Sequence, residues 1–371
     1  MKKVAIITLY GDYNLGNKLQ NYAVEYLLKT LGCAPKTIVV SMNQSLKRRI
    51  KYFLLDMISM LPVWKDRRIV EHRMMGKRCK TISKFSNELL HCSDRIDYGN
   101  SAELKQLSEV YDLFITGSDQ VWGSFVDYDK DAFNYYFLRF VSWEKRGSLA
   151  PSLGRNTIPK ERINEYDEAF SGIRWLSCRE RGAKGLIKEV SGREAELLLD
   201  PTMAVPVEVW RRIARRPNYD IPSQYILDYR LGTNKDDTDR IVRKISQNIE
   251  METINIYNTK TENSIFESTG PAEFLWLIDN ASLVVTDSFH GCVFAILFNK
   301  DFVCLDRVET AESVDMSDRL ETLLVKFGLE KRIFCEDMLA NIFGTDYSFS
   351  NNIISQEVLK TRDFLKNMIN S

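Results

Sequence analysis

Histidine is scarce in this chain: only His72, His91 and His290 occur in 371 residues. No two of them sit at a ligand-like spacing beside a cluster of Cys, Asp or Glu, so the sequence offers no protein metal site. Seven cysteines (Cys33, Cys79, Cys92, Cys178, Cys292, Cys304 and Cys335) are scattered without a CxxC pair. Their scatter excludes a zinc ribbon and a disulfide framework, and fits a reducing cytoplasm. Net charge is absent as well, with 51 basic against 51 acidic residues, so bulk charge selects no partner. No run approaches the ~18 apolar residues of a membrane span. Residues 1–10, MKKVAIITLY, imitate the start of a secretory leader, but GDYN follows in place of a small-residue cleavage site. A strand entering a loop is the better expectation there. There is also no GxGxxG stretch to cradle a dinucleotide.

What remains is ordinary soluble-protein composition, 44% hydrophobic and 27% charged. The length predicts two domains. VAIITLY (4–10) reads as a buried strand, GDYNLGN as a polar loop, and LQNYAVEYLLKTLG (19–32) as a helix with a glycine stop, followed by strand TIVV (37–40). Residues 45–95 break this alternation and read as helices with a basic bias. The pattern resumes at DLFITGSD (112–119), passes the aromatic run FNYYFLRFV, and continues through a strand near RGSLAPSLG. A helix from Pro159, strand RWLSCRE, helix GAKGLIKEV and strand AELLLDP complete this half.

Pro201, Pro206, Pro217 and Pro222 form the densest proline region and mark the linker, with VEVWRRIA inside it able to form a short helix. Four more strands then alternate with four helices. The reading is an α/β protein of two Rossmann-like, doubly wound domains facing a cleft: residues 1–205 with the 45–95 insertion, a linker at 206–221, residues 222–345, and a last helix in 346–371 that can return to the first domain. Ligands of such a fold bind in the crevice at the carboxyl ends of the strands.

The stretch LVVTDSFHGCVFAILFN (283–299) carries the strongest chemistry. A strand ends near Thr286, and Ser288 is placed to cap the next helix. Free N–H groups around Ser288, Phe289 and Gly291 then suit a phosphate or carboxylate, and His290 in that first turn can give or take a proton beside it. The alternative is a histidine that bridges the domains by a hydrogen bond. In GDYNLGNKLQNY, Asn14, Asn17 and Gln20 offer amides to sugar hydroxyls or an anion, or the segment is a plain tight turn. In GSDQVWG, Asp119, Gln120 and Trp122 suit a carbohydrate, or form a structural loop around a packed ring. Arg179 and Arg319 are each a fork for an anion or half of a surface ion pair.

Residues 47–80 hold eleven Lys/Arg against Asp56, Asp66 and Glu71, a local charge of +8. With YFLLDMISMLPVW in their midst, they can lie on an anionic membrane surface, or form a helical hairpin that packs on its own domain. No nucleic-acid-binding module accompanies the charge, so nucleic acid is not an expected partner.

In this order, GDYNLGNKLQNYAVEYLLKTLG, ITGSDQVW, SLAPSLG, LSCRE, LDPTM, VVTDSFHGCVFAILFNKDF and SDRLETLLVKFGL resemble the polysaccharide pyruvyl transferase family. The resemblance implies a GT-B-like architecture, similar to two-Rossmann glycosyltransferases. It also implies transfer of the pyruvyl group of phosphoenolpyruvate onto two hydroxyls of a sugar, giving a ketal and phosphate with no cofactor. His290 matches the active-site histidine, and Arg179 sits where a donor-binding arginine is expected. Many relatives carry Arg where this chain has Ser288, so the helix terminus, Arg179 or Arg319 supplies the anion contact. Asn14, Asn17, Gln20, Asp119, Gln120 and Trp122 fall to the acceptor side. A lipid-linked saccharide acceptor would place the protein in the cytoplasm, peripheral to the inner membrane face, with the basic insertion on anionic lipid. The competing expectation is a nucleotide-sugar glycosyltransferase.

Overall fold

The computed structural model describes residues 1–11, 14–40, 67–232, 235–257, 265–306 and 317–371. Two parallel sheets organise them. In the first, β1 (Lys3–Ile7), β2 (Ala34–Val40), β3 (Cys92–Ile96), β4 (Leu113–Thr116) and β5 (Arg146–Ser148) run in the order β3-β2-β1-β4-β5. Short strands β6 (Ser177–Cys178) and β7 (Glu196–Leu197) continue beyond β5 through a bridge from Gly147 to Trp175. The second sheet holds β8 (Ile226–Tyr229), β9 (Thr253–Asn255), β10 (Leu283–Thr286) and β11 (Phe302–Cys304) in the order β11-β10-β8-β9. Its central strand β10, LVVT, is buried at every position, as expected of a strand covered on both faces.

Strand order reverses once in each sheet, between β1 and β4 and between β8 and β10. Connections diverge to opposite faces at such points and leave a crevice at the carboxyl ends. After β1 the chain enters α1 (Leu15–Thr30), and after β10 it enters α10 (Phe289–Leu297). Between these two, numbered in chain order, lie α2 (Arg67–Leu89), α3 (Ser101–Val110), α4 (Lys130–Tyr136), α5 (Ile163–Ser171), α6 (Arg181–Ser191), α7 (Val207–Ile213), α8 (Lys235–Asn248) and α9 (Pro271–Asn280). Helices α11 (Ser317–Phe327) and α12 (Ser348–Asn370) close the chain.

The largest apolar cluster crosses from one domain to the other. Leu19, Ala23 and Leu27 of α1 face it at helical spacing, and the Trp210 ring of α7 sits 5.5 Å from Tyr22 of α1 and 5.2 Å from Phe294 of α10. Helix α7 thus fills the proline-rich connection and packs against both halves. Helix α12 ends against the first domain, with Met368 beside Gly147 and Trp175 Nε1 donating to Ser371 Oγ at 3.1 Å.

One expectation needs correcting. Within 45–95, read as helices alone, Cys92–Ile96 is the edge strand β3 of the first sheet. Glu25 fixes its entry by accepting from His91 N at 3.0 Å, and Ser93 Oγ accepts from Val39 N at 3.0 Å. Its sequence, CSDRI, carries no apolar alternation because an edge strand with partly exposed faces does not require one. Residues 41–66, including most of the apolar part of the insertion, lie outside the described residues.

Helix α2 of the insertion docks on the second domain. Arg78 of α2 is fully buried, donates from Nη1 to the carbonyls of Ile256 (2.8 Å) and Phe266 (3.1 Å), and lies 4.2 Å over the Phe266 ring. Lys77 pairs with Glu267 at 3.1 Å beside it. These two cations of the basic stretch therefore face protein. Replacing Arg78 leaves two buried carbonyls without donors, at roughly 1–3 kcal/mol each, partly offset by removing a buried charge. Arg78→Met is expected to destabilise the second domain by about 2 kcal/mol, read as a lower urea midpoint. An unchanged midpoint would mean that water satisfies both carbonyls.

Candidate active site

The motif around His290 is built so that its polar residues hold the second domain while the imidazole and the Phe289 ring reach the first. Thr286 Oγ1 donates to Tyr229 O at 2.6 Å and accepts from Ser288 N at 3.0 Å, tying β10 to β8. The Asp287 carboxylate accepts from Leu231 N and Gly232 N at 2.6 and 2.8 Å, holding the loop after β8. Ser288 caps α10, its Oγ accepting from Gly291 N at 3.4 Å. At Gly291 a side chain is excluded: a Cβ there would lie 2.3 Å from Thr286 Oγ1. Each polar residue of TDSFHG except the histidine is thus engaged inside the second domain.

His290 points across the boundary and is 6% exposed. Its ring lies against the first turn of α1, where a Cβ on Gly16 would sit 2.2 Å from Nδ1 and 2.9 Å from Cε1. Asn14 starts that helix, its Oδ1 accepting from Gly16 N at 2.9 Å. The other edge of the ring faces the first domain as well, with Nε2 3.6 Å from Asp200 Oδ2. That distance exceeds a hydrogen bond. Two helix N-termini, one per domain, therefore flank one imidazole, and each favours an anion.

Asp200 organises the first-domain side. Oδ1 accepts from Thr202 N and Oγ1 at 3.1 and 2.7 Å, and Oδ2 accepts from Arg179 Nη1 at 2.5 Å and lies 3.1 Å from Ser118 Oγ. Burial alone would raise its carboxyl; the neighbouring His290, with Arg179 and Thr202, outweighs that and holds it well below the usual carboxylate range. Arg179 is buried likewise. Burial pulls its guanidinium down, but Asp200, Glu180 and Asp119 overcome this and leave it above its ordinary value. Its Nε and Nη2 make no hydrogen bond, the nearest carboxylates being Glu180 at 3.9 Å and Asp119 at 4.0 Å. The Phe289 ring covers the guanidinium at 4.2 Å. Arg319, Phe289, Arg179 and Asp200 line one pocket of about 20 Å³, room for about one water.

The predicted residues separate into those at this junction and those that support it. Asn14, Arg179, Ser288, Phe289, His290, Gly291 and Arg319 converge on the domain boundary. Asn17 follows Gly16, is 8% exposed, and its Oδ1 has no hydrogen-bond partner. Asp119 adopts φ 66° and turns its carboxylate to Gln120 N at 2.9 Å and toward Arg179. Gln120, half-buried, packs on Gly154, where a Cβ would lie 2.2 Å from its Nε2.

Two acceptor-side assignments are corrected. Gln20 is fully buried; its Nε2 donates to Thr8 Oγ1 at 2.7 Å and its Oε1 accepts from Ser118 N at 3.0 Å, so it joins the loops after β1 and β4. Trp122 is fully buried too, stacked on Phe137 at 5.0 Å with Nε1 donating to Tyr136 O, and presents no face to a sugar. Both are polar-capable residues whose capacity is spent inside the fold. Asp200 and Gly16 are the residues that sequence reasoning passed over. For Asp200 the signal was a lone carboxylate ending the apolar run AELLL; for Gly16 there was none beyond a glycine in a helix start.

Among the described residues no group of three potential metal ligands occurs, and no helix is long and apolar enough to cross a membrane.

No curated protein is significantly similar to the chain. Solved structures are similar over nearly full length at low identity. The UDP-GlcNAc 2-epimerase of Methanocaldococcus jannaschii has 13% identity, coverage of 96% of this chain and 99% of that one, and a TM-score of 0.46. The UDP-GlcNAc 2-epimerase of Neisseria meningitidis bound to UDP-GlcNAc has 10% identity, 97% and 100% coverage, and 0.45. The glycosyltransferase SsfS6 of Streptomyces sp. SF2575 has 11% identity, 100% and 96% coverage, and 0.40. The sequence profile of polysaccharide pyruvyl transferases matches residues 14–307, from the cap of α1 past the end of β11. The chain belongs to the polysaccharide pyruvyl transferase family.

Proposed function

We propose that this protein moves the pyruvyl group of phosphoenolpyruvate onto two hydroxyls of a sugar in a capsular or exopolysaccharide, or in its lipid-linked precursor, at the cytoplasmic side of the membrane. One observation carries the reading: a single imidazole lies between two helix N-termini, beside a buried guanidinium with two unengaged donor nitrogens. Such a site suits a small, multiply charged acid that must be protonated.

An acid protonates the methylene carbon of the donor, which becomes a methyl group and leaves the central carbon electrophilic. One sugar hydroxyl bonds to that carbon and loses its proton to the same group acting as base. The C–O bond to phosphate then breaks, and the second hydroxyl closes the ketal, its proton leaving with phosphate. His290 is the acid and base; Arg179, Arg319 and the N–H groups of residues 289–291 hold carboxylate and phosphate. Asn14, Asn17, Asp119 and Gln120 remain on the acceptor side. The pocket beside Arg179 holds about 20 Å³, so the donor enters as the domains part and the reaction proceeds as they close.

Mass spectrometry of galactoside and mannosamine-type acceptors incubated with protein and phosphoenolpyruvate tests the reading. A pyruvate ketal with acceptor-dependent phosphate release is expected, together with thermal stabilisation by the donor alone. Transfer from a sugar nucleotide, with none from phosphoenolpyruvate, would replace this function with glycosyl transfer.

A further inference from the structure

We infer that Asp200 is the positioning residue of His290: it reaches across the domain boundary to hold Nε2, and so makes Nδ1 the nitrogen that moves the proton. The inference rests on the proposed function for its kinetics but not for its geometry. Nε2 is closed to solvent and faces Asp200 Oδ2 at 3.6 Å. The opposite edge, Nδ1, meets Gly16, the α1 residue that lacks a side chain to cover it. Asp200 itself cannot swing, because Thr202, Arg179 and Ser118 hold both its oxygens.

Asp200 and Gly16 belong to one domain and His290 to the other, so the oriented imidazole exists only when the domains are together. Bonds of this kind are often long in the empty enzyme and shorten when substrate is bound. In the cycle, Nδ1–H passes its proton to the donor's methylene carbon and Nδ1 regains one from the attacking hydroxyl. The Nε2–H stays on Asp200 throughout. Among the described residues the charged groups near the ring are few. Asp200 and Arg179 come from the first domain, with Asp119 and Glu180 reaching the site through Arg179. Arg319 of α11 lines the pocket with Arg179 and Asp200, while Lys18 of α1 has its Nζ over the Tyr10 ring, 3.2 Å from its centre.

Because the chain has three histidines, ¹⁵N-histidine labelling gives three imidazoles, and loss of one set in His290→Gln assigns the third. The expected neutral form in the wild type is Nε2–H, with Nδ1 unprotonated. In Asp200→Asn the carboxylate is gone: the tautomer mixture should shift, kcat should fall roughly 10–100-fold with a smaller change in KM, and the alkaline limb of the rate profile should move to lower pH. Thr202→Val keeps the charge but loosens the carboxylate, so kcat should fall on the order of fivefold with the limb unmoved; it covers the case in which Asp200→Asn does not fold. A wild-type Nδ1–H tautomer, or His290 spectra identical in wild type and both variants, overturns the inference. If no acceptor is pyruvylated, the function fails alone, and the spectra still decide the pairing.

Discussion

His290→Gln is expected to lower kcat roughly 10²–10⁴-fold, the range general acid–base catalysis contributes, while the unfolding midpoint stays near that of the wild type. The second half follows from how the histidine is held. Among the described residues its ring makes no hydrogen bond within its own domain, and the neighbouring Thr286, Asp287 and Ser288 perform the structural work of the motif. Removing the imidazole leaves Asp200 with Arg179, Thr202 and Ser118, so no buried charge is orphaned. Donor binding should persist, because the guanidinium and helix ends are unchanged; the loss belongs in kcat more than in KM. Near-normal turnover in this variant would show that the histidine only bridges the domains.

Gly16→Ala should cost on the order of 10²-fold in kcat/KM, the scale of an ångström of misplacement in a catalytic geometry. Taken locally, the change is favourable: alanine in a helix is about 1 kcal/mol better than glycine, and Asn14 would still cap the turn. The tertiary contact reverses that. The added methyl would lie 2.2 Å from Nδ1 and 2.6 Å from Cγ of His290, far inside van der Waals contact, so either the ring turns away or the domains stay apart. Helical content and the stability of the first domain should hold or rise while transfer is lost, a combination that simple misfolding cannot produce. Circular dichroism, thermal unfolding and turnover on the same preparation check it; full activity with a folded variant would place the reaction away from this edge of the ring.

Glycine 16 also marks where reading by residue type stops. Its spacing within NLGNKLQN says helix start and nothing about an imidazole more than 270 positions later. Asp200 is similar. The sequence shows a carboxylate after an apolar run, and only the packing of residues 201–204 beneath α1 brings it to His290. Trp122 and Gln20 failed in the opposite sense, since an indole or amide looks the same in a sequence whether it meets a sugar or a neighbouring carbonyl. The edge strand Cys92–Ile96 escaped notice because hydrophobic periodicity reports burial, and a half-exposed edge has little of it.

By itself the sequence determined the parallel α/β alternation, the two Rossmann-like units, the family, and the placement of one histidine at a strand-to-helix junction. Those are properties of local pattern: apolar period, capping residues and motif order act over a few neighbouring positions. The tertiary structure alone decided which residues surround that histidine, which group faces each of its nitrogens, and which polar side chains are spent inside the fold. Such contacts join strand ends from separate domains, and only the packing of the two sheets sets the distances between them.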